Sequence, residues 1–189
     1  MKNNLSIRNF ILRLTISGVL IAVGITIPMF SPLKIILEPA SFTLASHVAI
    51  FIAIFISPSI AIAVALGTTV GFFFGGFPLI IVFRAASHLI FATAGSFYLK
   101  KFINTENSII KLRIFSFFIA LTHAVSEIIV VSFFYFNNRM GENYYQRGFI
   151  ISVLLLVGLG TVVHSMVDFE IANVVRVALK RAFKNKIKL

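Results

Sequence analysis

Apolar runs succeed one another along most of this chain, separated by short polar breaks, and that pattern leaves few folds open. Bounded by charge, proline or glycine, the runs are 10–30, 41–56, 58–74, 77–99, 112–136 and 149–175. A lipid-crossing helix needs about 20 apolar residues, and lipid offers the backbone no hydrogen bonds, so each run is expected to be helical. With 59% hydrophobic and 12% charged residues among 189, the chain is expected to be an all-α integral membrane protein. Six transmembrane helices in a single domain over 1–189 leave no room for an ATPase or other soluble catalytic domain. The second and third runs are short and joined by "SPS" (57–59), so a tight pair of spans is expected there, with a re-entrant pair as the alternative.

Lysine and arginine set the orientation. Lys2, Arg8, Arg13, Lys100, Lys101, Lys111, Arg113 and the tail from Arg176 to Lys188 fall on one side of a six-span bundle. Lys34, Arg139 and Arg147 fall on the other, which places both termini in the cytoplasm. The net charge of +11 is thereby explained by orientation and anionic lipid, and no nucleic-acid partner is expected. The outer connections 31–40 and 137–148 are long enough to cap an outward-facing cavity. The first apolar run lacks a small-x-small cleavage site and is taken as a retained helix rather than a signal peptide. Without cysteine, disulfides and thiolate metal sites are excluded.

Small residues mark close helix contacts: Gly67, Gly71 and Gly75 in the third run, Gly18 and Ala22 in the first. Ionisable residues within the runs are more telling, because each costs at least ~2.5–3.5 kcal/mol at a helix centre unless it pairs or faces a cavity. Three pairs stand one helical turn apart: Arg84 with His88, His123 with Glu127, and His164 with Asp168. On antiparallel helices, residues at equal depth have position numbers of constant sum, and Arg84 with Glu127 has the same sum as His88 with His123. These four are therefore expected to form a polar patch roughly 10–15 Å below the outer surface, with His47 at similar depth. Arg84 would line a water- or ligand-filled cavity, partly neutralised by Glu127. The alternative is a structural ion pair that clamps the bundle. His164 and Asp168 are expected a turn or more deeper, in a structural role. That separation, and the lack of an H-E-x-x-H motif, argues against a catalytic or resident metal; no cofactor is expected.

Six short helices, a basic tail, a loop after the first helix and the Gly18/Ala22 pattern together resemble the substrate-binding S components of energy-coupling factor (ECF) vitamin transporters. "LEPASFTLASHVAIFIAIFISP" (37–58), "GFPLIIVFRAASHLIFA" (76–92) and "GTVVHSMVDFEIA" (160–172) look like the niacin type or a related vitamin class. The resemblance implies a subunit of a bacterial plasma-membrane importer that is not itself an enzyme. It would hold its vitamin in an outward cavity and work with a membrane coupling protein (T component) and two ATPase subunits. In that family the subunit topples in the membrane to deliver its cargo, and Gly18 and Ala22 match the small residues that contact the coupling protein. Arg84 would bind a carboxylate, His88, His123 or Glu127 a ring nitrogen or amide, and Tyr144 and Tyr145 would pack on a flat heterocycle. The competing reading is a stand-alone ion-coupled carrier using Glu127 or Asp168, although the halves show no internal repeat. A purely structural membrane protein is a third.

Overall fold

A computed structural model describes residues 2–37, 40–102 and 108–182. The basic positions beyond 182, and the loop positions 103–107, lie outside the described residues. The first apolar run forms α1 (Lys2–Phe30), a helix of 29 residues that rises about 43 Å at 1.5 Å per residue. After it come strands β1 (Lys34–Leu37) and β2 (Ala40–Thr43), then α2 (Val48–Ile56), α3 (Pro58–Phe74), α4 (Leu79–Phe102) and α5 (Ile109–Phe136). The short α6 (Glu142–Gln146) and a π-helical stretch, Ile150–Leu159, lead into α7 (Gly160–Ala182).

Among the described residues, four helices are long and apolar enough to cross a membrane: Ile7–Phe30, Leu79–Lys101, Ile109–Phe136 and Ile150–Ala182. The chain is thus a multi-pass membrane protein. A single helix over 41–56 does not form, which corrects the expectation for the second run. Residues Ala40–Thr43 pair antiparallel with Lys34–Leu37, in the register Lys34 opposite Thr43 and Leu37 opposite Ala40. A turn follows, with Ser46 N–H donating to the Thr43 carbonyl at 3.2 Å and Ala45 at a φ of +67°. Only nine residues of α2 remain, about 13 Å of rise, too short to cross alone.

This short helix is the centre of the molecule. Every residue from Val48 to Ile54 is buried, as befits a helix apolar on all faces. Phe51 packs between Phe91 of α4 and Phe169 of α7, with ring centroids 5.6 and 5.4 Å away. A single extended residue, Ser57, joins α2 to α3, and its hydroxyl accepts from Ile60 N–H at 3.3 Å while Pro58 starts the helix.

The glycine ridge of α3 works as the packing reading expects at two of its three positions. Side chains of α1 occupy the space a Cβ would need, Ile21 at Gly67 and Ile25 at Gly71. Gly75 instead ends α3, its N–H donating to the Gly71 carbonyl at 2.8 Å. Gly18 and Ala22 are exposed on α1, and nothing lies within 4 Å of a Cβ built at Gly18. Only 11% of the apolar window of α1 is buried, against 50% for α5, so α1 is a flank and α5 a core element.

The last apolar run departs from regular helix too. Residues Ile150–Leu159 are π-helical, and α-helix resumes at Gly160. There the ring of Phe42 in β2 sits where a Cβ would be, so any larger residue would require that ring to move.

Candidate functional site

The antiparallel levels of α4 and α5 meet as their numbering requires. Arg84 Nε donates to Glu127 Oε1 at 3.1 Å and Nη2 to Oε2 at 2.9 Å, a two-point ion pair whose planar geometry suits guanidinium and carboxylate. One turn along, His88 and His123 bring their ring centroids to 4.7 Å. Glu127 is also held from α7, where Thr161 Oγ1 donates to Oε2 at 2.6 Å. Its Oε1 lies 3.5 Å from His88 Nε2 and 3.4 Å from His123 Nε2. Neither nitrogen has a hydrogen-bond partner among the described residues, although both are buried. His123 Nδ1 reaches Ser165 Oγ at 3.3 Å.

Thr161 stands level with Glu127, so His164 and Asp168 do lie one and two turns further along α7. The expectation that depth keeps them apart from the histidines is nevertheless overturned, because His47 spans the gap. Its ring lies 4.8 Å from that of His88, 4.7 Å from His123 and 5.1 Å from His164, so all four histidines of the chain are neighbours. The agent is the turn before α2, which Asp168 holds in place. Ala45 N–H and His47 N–H donate to its two oxygens at 2.8 and 2.9 Å, and His47 Nδ1 lies 3.1 Å from Oδ2. The first turn of α2, which has no side-chain cap of its own, is thus capped from α7. Ser46 Oγ completes the link, 3.0 Å from His164 Nε2.

A cavity of about 250 Å³ opens against this cluster, near the lower limit of about 300 Å³ for small-molecule sites and thus suited to a single-ring ligand. Arg84, Glu127, His88, His47, His164, Ser46 and Lys34 give it a polar wall, and Phe42, Phe72, Phe77, Ile50 and Ile81 an apolar one. Phe72 and Phe77 stack with centroids 4.5 Å apart. His123 is fully buried behind the polar wall.

Of the residues singled out from sequence, Arg84, His88, Glu127 and His47 line this cavity, and Tyr144 and Tyr145 do not. Tyr145 instead braces the last outer loop, its hydroxyl donating to the Tyr135 carbonyl at 3.3 Å and accepting from Met140 N–H at 3.2 Å. Tyr144 sits near enough to Arg84 to feel its charge; burial raises its hydroxyl pKa, and the guanidinium opposes the rise. A phenylalanine-rich wall is what the composition leads one to expect, but Phe42, Phe72 and Phe77 individually, and Lys34, Ser46 and Thr161, were not singled out. For Thr161 a signal was available, since it precedes His164 by one turn on the same helix face.

No protein-family model and no solved structure matches the chain. Among curated proteins, it is 41% identical over 170 residues to "Niacin transporter NiaX" of Lactococcus lactis subsp. cremoris (strain MG1363). The match covers 90% of this chain and 75% of that protein.

Proposed function

Since the chain belongs to the substrate-binding S components of ECF vitamin transporters, we propose that its vitamin is niacin and that the cavity beside Arg84 receives it. The likeness to a niacin transporter over 90% of the chain carries this reading, and the chemistry of the cavity agrees with it. Nicotinate is a single flat ring with one carboxylate. Arg84 engages Glu127 through Nε and Nη2, which leaves Nη1 for the cargo's carboxylate. Ser46 supplies a polar partner for the ring nitrogen, and Phe72 and Phe77 an apolar face for the ring. The buried pair also explains how a cation persists there without cargo: Glu127 offsets the cost of desolvating Arg84.

The subunit is read as one unit with six crossings, α2 and its hairpin counting with α3 as a pair, both termini in the cytoplasm and the cavity facing outward from a bacterial plasma membrane. It performs no chemistry of its own; two ATPase subunits drive import through a membrane coupling protein (T component). The exposed Gly18 and Ala22 on α1 would let that protein's backbone approach closely.

Calorimetry on the purified protein tests the cargo. Nicotinate is expected to bind one per chain, and nicotinamide, which lacks the charge, at least ~10-fold more weakly, since a hydrogen bond to a charged group contributes about 1.5–3 kcal/mol. Arg84→Lys, which keeps a cation for Glu127, should fold and lose affinity for nicotinate selectively. A folded protein indifferent to nicotinate would overturn the assignment.

A further inference from the structure

The histidine cluster holds more nitrogen than one pyridine carboxylate needs. We propose that His47, His88 and His123, with Glu127 Oε1 beside them, form a binding site for a divalent transition-metal ion of the zinc type, distinct from the cargo contacts of Arg84. The site goes beyond the transport reading and does not depend on it.

Three observations converge. One ring nitrogen from each of His47, His88 and His123 lies within 4.8 Å of the other two. Two buried nitrogens, His88 Nε2 and His123 Nε2, lack a hydrogen-bond partner among the described residues, although buried polar atoms are nearly always satisfied. Both face Glu127 Oε1 at 3.5 and 3.4 Å, and a tetrahedral ion with bonds of ~2.0–2.1 Å would set its ligands about 3.4 Å apart. The ion would draw the His47 nitrogen inward to the same spacing.

The supporting contacts have the pattern of a metal site. A histidine ligand typically donates its other ring N–H to a carboxylate or similar group, which fixes the tautomer. Asp168 Oδ2 takes that position on His47 Nδ1 at 3.1 Å, leaving Nε2 with its lone pair. Ser165 Oγ stands by His123 Nδ1 at 3.3 Å. Imidazole ligands select zinc, nickel, cobalt or copper, whereas calcium and magnesium require shells of oxygen. A rival trio, His47, His164 and Asp168, also lies within 4.8 Å, but there His164 Nε2 already has Ser46 Oγ at 3.0 Å, whereas His88 Nε2 and His123 Nε2 have no such partner among the described residues.

The test uses the full chain without a histidine tag, stripped with chelator and titrated with cobalt(II) in the absence of niacin. One cobalt per chain is expected, with the intense visible bands of four-coordinate geometry, displaced by zinc. His88→Gln and His123→Gln should each weaken binding by more than about 10-fold, while His164→Gln should retain the bands. Absence of stoichiometric binding by a monodisperse, cooperatively unfolding protein overturns the site, as does metal retained by both glutamine variants or lost only in His164→Gln. Should a variant fail to fold, the wild-type protein still decides, because an ion that binds only the folded state must raise its Tm. Nicotinate calorimetry on the stripped protein reports separately on the cargo.

Discussion

Glu127 and Asp168 are both buried carboxylates, 2% and 0% exposed, yet only one of them holds backbone. Beside the imidazoles of His47 and His164, Asp168 takes the backbone N–H groups of Ala45 and His47, which fix its oxygens, and through them the hairpin turn and the start of α2. Glu127 binds side chains, Arg84 from α4 and Thr161 from α7, with two imidazoles close by. Backbone partners have no rotamers to change, so Asp168 acts as a latch. Side chains can swing, so the partners of Glu127 can be shared with a ligand. The contrast separates what builds the pocket from what fills it.

The largest effect is expected at the latch. Asp168→Ala strands two N–H groups near the central helix and should cost about 3–5 kcal/mol, read as a collapse of Tm or of monodisperse yield, with nicotinate unable to restore it. Glu127→Gln comes next, at about 3 kcal/mol, because Arg84 loses its counter-charge. Here nicotinate should substitute for the missing carboxylate and give a larger ligand-induced rise in Tm than in wild type. Equal rescue of both variants would break the distinction. Thr161→Val is the smallest change: one hydrogen bond, about 1 kcal/mol, and a Tm about 2–4 °C lower, with Arg84 still paired.

Much of this was legible wherever the helix is regular. Arg84 finds Glu127 because α4 and α5 keep a constant rise per residue, so position numbers alone measure depth. That arithmetic fails where the backbone leaves the α-helix. The hairpin and turn before α2 carry His47 to His164 and Asp168, and no periodicity in "SFTLASH" (41–47) announces a strand that ends at Thr43 and a turn through a left-handed alanine. The π-helical stretch before Gly160 likewise has nothing in "IISVLLLVGL" (150–159) to mark it beyond Gly158 near its end. Tyr144 and Tyr145 were drawn toward the pocket by residue type; loop geometry sends the Tyr145 hydroxyl to the backbone instead.

The flank position of α1 has a consequence for how this sequence can drift. Its inward residues Ile21 and Ile25 are locked by shape to the glycines of α3, so a change on one side demands a matching change on the other. Its outward face, with Gly18 and Ala22, answers to no residue of this chain's core. Variation there is filtered by lipid and by whatever protein meets the helix, and it can proceed without unsettling the pocket. One helix therefore carries two independent evolutionary clocks, the inner set by the fold and the outer by its company.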